Sequence, residues 1–482
     1  MRADRPPAPA RAELSLAALL GALALVLVWR IGEPPAANPA EARVQGAVAS
    51  IVSDGDWLVP QVDGAPRIEK PPGYAWLAAA LSELAGGDSW TTVRLPSAAC
   101  AVGIAALLFV WGRSLGGPDL GLLAALCFAA MSMTIDLGRR GVAEMALALF
   151  CALALFEFDR VHYGGERRRL PLFALWLACA ILAKATTALL IVGLPLALAL
   201  ALERKLARAF SARNVGWLAF ALALGFAWYG VVLAVVPGAA RTLFAEAAVP
   251  VGVRPPGATA THYGPPYLYI PVLARAALPA VVLLPLAALR AWRSRGYRSA
   301  PRLRFVAIAF ASLFVAFSLL PQKRTHYLIP VLPLLALLLA ESVRDLRERM
   351  PEQLRRLLVV AALVAVPLGL AAAGGLAVFY TELAGAPRVG VAALGVCVLA
   401  ALAALCWSAL RFHPRVFASL AAAGSLGLML AFYGSVDVCR RQVEVGAAER
   451  CPHYDAGRWE EAFQHWPALA RFMAVPTHAR DS

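Results

Sequence analysis

Apolar runs of about 15 to 25 residues follow one another along most of the chain, and short polar stretches separate them. This pattern predicts an all-α polytopic membrane protein with about 13 transmembrane helices. Segment 75–84 is too short to cross a bilayer, and runs 170–183 and 186–202 are either two spans or one long tilted or broken helix. The predicted spans lie near 14–29, 95–112, 120–137, 141–158, 170–183, 186–202, 214–236, 267–289, 304–320, 326–342, 357–379, 388–411 and 415–436.

A long polar passage, Glu41 to Tyr74, interrupts this pattern in the first half of the chain. Pro39 suits the first turn of a helix, and apolar residues then recur at helical spacing. These apolar residues are Val44, Ala47, Val48, Ile51 and Val52. They indicate an amphipathic helix lying at the membrane surface, within a first outer loop that spans residues 30–94. An extended stretch and Glu69-Lys70-Pro71-Pro72 follow before the chain re-enters the bilayer.

Composition and charge distribution agree with this class and set the orientation. Hydrophobic residues make up 60% of the 482, and the mean hydropathy is +0.67. The net charge of +15 does not indicate nucleic-acid binding, because more than half of the 45 Lys and Arg residues lie in short loops on one side of the predicted bundle. Such a bias predicts a cytoplasmic N-terminus and a C-terminus on the outer side, which for a protein of the bacterial inner membrane is the periplasm. The first apolar run is followed by no small-residue cleavage signal close by, so we expect a retained first span.

Two regions follow from this topology. Residues 1–436 form the predicted membrane domain, and residues 437–482 form a short periplasmic tail. The tail contains Cys439 and Cys451, whereas the other six cysteines lie in apolar runs. Two cysteines in an exported segment predict a disulfide.

Charged residues at span ends converge on the predicted periplasmic face and suggest a single cavity there. Each has a structural alternative. Glu41 is either functional or a helix-capping acid with Arg43 solvated beside it, and Lys70 either meets a phosphate or snorkels. Glu144 is either functional or paired with a neighbouring arginine (Arg139 or Arg140), since an acid inside an apolar helix is costly. Lys184 is either a hairpin tip or a cavity cation.

Two aromatic and basic segments complete this set of candidates. His262-Tyr263-Gly264-Pro265 and Lys323-Arg324-Thr325-His326-Tyr327 each precede an apolar span, where such residues also occur as an interfacial aromatic belt. The sequence contains no zinc-ligand cluster of the usual spacing and no phosphate-binding glycine loop. A nucleotide-using enzyme with a soluble donor domain is therefore disfavoured.

At these residues the chain resembles the GT-C membrane glycosyltransferases, in the branch of the lipid A aminoarabinose transferases and protein O-mannosyltransferases. The matching pieces are Pro39 to Arg43, Gly55-Asp56-Trp57, Glu69 to Pro72, Leu182-Ala183-Lys184, His262 to Pro265 and Lys323 to Tyr327. The resemblance implies transfer of a sugar from a polyprenyl-phosphate donor to a lipid or glycan acceptor on the periplasmic face. It also implies that membrane lipids surround the protein. It implies that Arg43 and Lys70 contact the donor phosphate, and that Glu69 and His262 share a divalent metal ion.

We therefore expect Glu41 and Glu144 to be catalytic. The expected substrate-binding residues are Arg43, Lys70, Lys184, Tyr263, Lys323 and His326. One departure from the family pattern stands out, because Ala40 replaces the aspartate of an acidic pair. Glu41 is the favoured base, with Glu144 as its partner or substitute. Two other hypotheses stay open: a transporter or flippase of a polyprenyl-linked substrate, for which we find no internal repeat, and a catalytically degenerate family member.

Overall fold

The computed structural model describes residues 8–33, 39–248, 264–277, 280–283 and 300–349, which form a predominantly helical bundle. The predicted spans near 357–379, 388–411 and 415–436, the tail and its two cysteines lie outside the described residues. The helices are α1 (Ala8–Val28), α2 (Pro39–Asp54), α3 (Gly73–Ala85), α4 (Trp90–Gly116), α5 (Pro118–Ala130), α6 (Ser132–Gly138), α7 (Glu144–His162), α8 (Leu170–Leu202), α9 (Ala212–Val235), α10 (Ala239–Ala248), α11 (Tyr269–Ala276), α12 (Pro301–Leu319) and α13 (Leu332–Arg349).

Membrane-spanning character is confirmed for the described part of the chain. Five helical segments are long and apolar enough to cross a bilayer, or six if α5 and α6, which meet at a 66° bend, form one span. Within the expected span 267–289, the described residues form α11, which ends at Ala276, and a short 3-10 turn, Ala280–Leu283, and the span itself remains a prediction. The total of 13 spans remains a prediction.

Helix α8 folds back on itself and forms a helical hairpin. A straight helix of 33 residues would be about 50 Å long. However, Arg169 just before α8 bonds to Glu157, and Glu203 just after it bonds to His162, and both partners lie near the C-terminal end of α7. Lys184 has non-helical backbone angles of φ −168° and ψ 88° and forms the turn between the two arms. The break at Lys184 favours two arms over one straight helix, and the number of spans in this region remains a prediction. The two interpretations of Lys184, as hairpin tip and as cavity cation, are compatible.

The first loop packs as a folded cap on the bundle. Helix α2 buries the predicted apolar face, and a two-stranded antiparallel hairpin, β1 (Gln61–Val62) and β2 (Ala65–Pro66), follows it. Asp63 and Gly64 both have positive φ, 53° and 74°, as the tight two-residue turn requires. The loop is tied to α9, because the Trp228 indole donates a 2.7 Å hydrogen bond to the Leu58 carbonyl. This hairpin is a small departure from the all-α expectation.

Candidate active site

The N-terminal end of α7 carries Glu144, whose carboxylate faces two basic side chains from distant parts of the chain. Its Oε1 atom lies 3.4 Å from the Lys184 ammonium and 3.5 Å from Nε2 of His326. The Glu144 side chain is only 15% exposed. A helix N-terminus favours a negative charge, which explains why an acid is accommodated there. Glu144 is not held by a neighbouring arginine, the structural alternative considered from the sequence. Arg140 donates to Asp136, and Arg139 donates to carbonyls at the end of α1.

Lys184 reaches Glu144 because it occupies the tip of the α8 hairpin. Its ammonium also lies 5.1 Å from the centroid of the Tyr327 ring, within range of a cation–π contact. The Tyr327 hydroxyl donates to Oε1 of Gln322 at 3.3 Å, which fixes the ring. Lys184 is therefore held between a carboxylate and an aromatic face, as expected for a cavity cation.

The Glu69-Lys70-Pro71-Pro72 segment lies against the same hairpin tip. The next residue, Gly73, approaches the Leu182 carbonyl so closely that an added Cβ atom would lie 2.6 Å from the oxygen. This contact places Lys70 beside the site, and its charge acts on both Glu144 and His326. Pro71 and Pro72 are buried and restrict the backbone that presents Lys70.

His326 and Tyr327 belong to a short 3-10 turn, Thr325–Val331, that leads into α13. Lys323, just before this turn, does not extend into the site. Its ammonium donates to carbonyls at the C-terminal end of α12, those of Phe317 (3.3 Å), Ser318 (2.7 Å) and Leu320. An ammonium has three N–H donors, so these carbonyls can occupy all of them. This geometry favours a capping role for Lys323 over the predicted substrate contact.

Glu41 is fully buried and links three elements. Arg94, on the first turn of α4, donates to both Glu41 oxygens at 2.8 and 3.2 Å and also to the Ile31 carbonyl. The Gly141 amide donates to Glu41 Oε1 at 2.7 Å. Gly141 lies three residues before Glu144. The contacts of Glu41 therefore favour positioning of the segment that carries Glu144 over direct proton transfer.

The remaining predicted residues differ in how far the structure describes them. Arg43 is exposed on α2, Glu69 is exposed beside Lys70, and Ala40 is partly buried. His262 and Tyr263 lie outside the described residues. Among the described residues, no group of three His, Cys, Asp or Glu side chains could hold a metal ion. Because His262 lies outside the described residues, the metal site at Glu69 and His262 remains a prediction, and no chemical step below depends on it.

Sequence reasoning missed Arg94 as the partner of Glu41 and Tyr327 as the partner of Lys184. A signal for Arg94 was present, because a charged residue at the start of an apolar run usually has a buried partner. Tyr327 gave no such signal, since aromatic residues are common at membrane interfaces. The described site is thus a single carboxylate surrounded by cations and aromatic rings. It can accept a proton at Glu144 and attract an anion through its basic neighbours.

Residues 69–232 match the family of dolichyl-phosphate-mannose-protein mannosyltransferases. This stretch contains Lys70, Glu144 and Lys184.

Individual relatives extend the similarity beyond that stretch. The chain is 26% identical over 412 residues to an undecaprenyl phosphate-alpha-4-amino-4-deoxy-L-arabinose arabinosyl transferase of Edwardsiella ictaluri, which covers 82% of this chain and 71% of the relative. It is 25% identical over 312 residues to the protein of the same name from Shewanella sediminis, with 64% of this chain and 55% of the relative covered. Over several of these relatives, the chain spans little more than half of their length.

The fold matches that of ArnT from Cupriavidus metallidurans. The crystal structure of that protein bound to undecaprenyl phosphate matches with a TM-score of 0.73 at 19% identity, covering 91% of this chain and 80% of the ArnT chain. Its apo structure matches with a TM-score of 0.68. At this identity, the likeness establishes the fold.

Proposed function

We infer that this chain, a relative of the aminoarabinose transferases with the GT-C fold, transfers a sugar from a polyprenyl-phosphate donor to an acceptor. The acceptor is a lipid or glycan on the periplasmic face of the inner membrane. The names of the relatives support a lipid-phosphate donor and a pentose-type sugar. The observation that carries the proposal is the Glu144 site, where Lys184 and His326 flank one carboxylate and Lys70 lies nearby.

The proposed reaction needs one base and one anion-binding group. An acceptor hydroxyl attacks the anomeric carbon of the donor sugar and forms a new C–O bond. Its proton passes to the Glu144 carboxylate, while the bond from the anomeric carbon to the phosphate oxygen breaks. The electron pair of that bond stays on the polyprenyl phosphate, whose growing negative charge Lys70 stabilises.

Glu144 takes the role that the family aspartate, replaced by Ala40, would have. We assign it this role because Glu41 is buried and accepts hydrogen bonds from Arg94 and Gly141, whereas Glu144 is partly exposed and has longer contacts. Glu41 then acts on the reaction through Gly141, by holding the start of α7. Arg43, Tyr263 and His326 remain proposed substrate contacts, and Lys184 keeps the Glu144 carboxylate in place.

Ala40 favours a second candidate, a catalytically degenerate transferase. The two proposals differ in what Ala40→Asp should do. In an active enzyme that uses Glu144, a second carboxylate near the donor changes turnover only modestly. In a degenerate one, the wild type is inert and Ala40→Asp gains transfer.

Mass spectrometry of envelope lipids and glycans tests the function. Cells that produce the protein should contain an acceptor heavier by one sugar residue than the acceptor of cells that lack it, and cells producing Glu144→Gln should lack this species. Identical lipid and glycan profiles in all three strains would contradict the proposal.

Labelling with a membrane-impermeant thiol reagent tests the proposed orientation. A cysteine at Asp63, on the exposed hairpin turn, should react in intact spheroplasts. A cysteine at Ser211, which is also exposed and lies at the opposite end of the bundle, should react only after lysis. The reverse result would overturn the orientation.

A further inference from the structure

Arg324 lies between two residues of the predicted set, and its side chain is not explained by the contacts described so far. Its Nε atom is buried and has no hydrogen-bond partner. Buried donors in proteins are almost always paired. Four other described residues also have a buried side-chain atom without a partner (Gln45, Thr134, Arg160 and Trp176), and Arg324 is the one of the five whose charge is among those that act on His326. Neighbouring Lys323 differs, because its ammonium is bonded to the carbonyls of α12.

The backbone of Arg324 is held rigidly. Its N–H donates to the Tyr269 hydroxyl at 3.0 Å, and its carbonyl accepts from the same hydroxyl at 3.0 Å. Tyr269 is 1% exposed and packs inside the protein. The bonded Lys323 side chain fixes the preceding residue as well. Functional side chains are usually presented from such restrained backbones, since the cost of ordering has been met in folding.

The charge balance around His326 calls for an anion. The charged groups with the largest effects on its ring are Glu144, Lys184, Arg324 and Lys70. Among these four groups, three basic side chains face one carboxylate, which leaves a surplus of two positive charges. Like charges gathered in a partly buried site repel one another, and a bound anion relieves this.

A phosphate group fits this requirement. A guanidinium offers planar paired donors that match phosphate oxygens, whereas an ammonium acts as a point charge. A phosphate monoester carries about −1.5 to −2 charges at neutral pH, close to the surplus. A sugar-linked phosphodiester carries less charge than the phosphate monoester released from it, so such a site strengthens its hold as the reaction proceeds.

We propose that Arg324 binds the phosphate of the polyprenyl-phosphate donor in the Glu144 site, together with Lys70. This assignment rests on the proposed function, because it takes its ligand from that function. Arg324 is then a substrate-binding residue that sequence reasoning did not select. Its guanidinium contacts the phosphate and supports the departure of the lipid phosphate from the anomeric carbon.

Lipid binding to the full purified chain in detergent tests this assignment, with undecaprenyl phosphate and undecaprenol as probes and native mass spectrometry as the readout. The wild type should bind the phosphate lipid more tightly than the alcohol. Arg324→Gln should weaken binding of the phosphate lipid by about tenfold or more and leave undecaprenol binding unchanged. The matched control is Arg275→Gln, an exposed arginine on α11 that should behave like the wild type.

Each outcome is decisive. Wild-type affinity for undecaprenyl phosphate in folded Arg324→Gln would overturn the assignment and leave the proposed function standing. If Arg324→Gln does not fold, Arg324→Lys carries the test, because it keeps the charge but loses the planar donors. We expect it to bind the phosphate lipid about threefold or more weakly, and unchanged binding would overturn the assignment. A wild type that binds both lipids equally would overturn the proposed function and this assignment together.

Discussion

The two ends of α7 carry polar clusters of opposite character. At the C-terminal end, Asp159 is 0% exposed and accepts from both Arg302 and the Trp111 indole, at distances of 2.5 to 3.1 Å. At the N-terminal end, Glu144 is 15% exposed and its contacts to Lys184 and His326 are 3.4 and 3.5 Å long. Both clusters place a carboxylate among basic groups, yet only the first has short, saturated hydrogen bonding.

The difference separates a structural network from a site prepared for a ligand. Arg302 also donates to the carbonyl and hydroxyl oxygens of Ser114, so the Asp159 cluster ties α4, α7 and α12 together. The Glu144 cluster instead gathers the basic side chains of Lys184, Lys70 and Arg324 around one carboxylate, and its contacts are longer. The contrast predicts that substitutions at one end affect transfer and substitutions at the other affect stability.

The largest expected effect is on transfer, in Glu144→Gln. The amide keeps the shape of the side chain but cannot accept the acceptor proton, and general-base catalysis contributes about 10²- to 10⁴-fold. We therefore expect turnover to fall by two to four orders of magnitude, with a melting temperature close to that of the wild type. Turnover by purified protein and thermal unfolding in detergent measure the two quantities. Wild-type turnover in this variant would remove Glu144 from the mechanism.

The opposite pattern is expected for Asp159→Asn. Removing one partner of a buried ion pair leaves Arg302 uncompensated and costs about 3 to 5 kcal/mol of unfolding free energy. Transfer per folded molecule should stay unchanged. Glu13→Gln is the matched control, because Glu13 is 60% exposed and 3.5 Å from Arg113, and such pairs contribute about 1 kcal/mol or less. Equal stability of the two variants would contradict the distinction between the ends of α7.

Lys70→Met should reduce transfer without unfolding the protein. Loss of one charged contact to the leaving phosphate in a dry site costs about 2 to 4 kcal/mol, so turnover should fall by roughly two orders of magnitude. Lys205→Met is a suitable control, since this lysine is 38% exposed at the other end of the bundle. Near-normal turnover of Lys70→Met would mean that Lys70 only snorkels.

The smallest expected effect is on how the melting temperature depends on pH in acid, in Glu203→Gln. Burial alone would raise the pKa of Glu203, but hydrogen bonds from Lys205, His162 and Tyr163 lower the pKa to about 2. A lowered pKa stabilises the folded state above the ordinary value near 4.5. That contribution is lost as the pH falls from about 4.5 to 2. The melting temperature of Glu203→Gln should therefore depend less on pH across this range than that of the wild type, and identical pH profiles would contradict the assignment.

Local patterns predicted the parts of the structure that local forces determine. The apolar spacing from Val44 to Ile51 predicted the buried face of α2, and the break in the apolar run at Lys184 predicted two separate arms. The convergence of Glu144, Lys184 and His326 was also expected, because alternating spans place their motifs at one face. Helix α11 nevertheless ends at Ala276, where nothing in the composition marks a helix end.

Pairings between distant residues could not be predicted from the sequence. Arg94 and Glu41 lie 53 residues apart, and their contact depends on how α4 packs against α2. The same holds for Lys323, whose ammonium caps the end of α12 because the chain turns there. Residue type alone suggested that Glu41 is a base and Lys323 a substrate contact. Burial and hydrogen-bond partners, which only the fold determines, favour positioning and capping.

The most direct test of the account is transfer by the purified full-length chain, followed by mass spectrometry of both products. Wild type, Glu144→Gln and Asp159→Asn are incubated with a polyprenyl-phosphate sugar and a lipid extract as acceptor. We expect the wild type and folded Asp159→Asn to release free polyprenyl phosphate in step with an acceptor heavier by one sugar, and Glu144→Gln to do neither. Donor left intact by the wild type, or equal release by Glu144→Gln, would contradict this expectation.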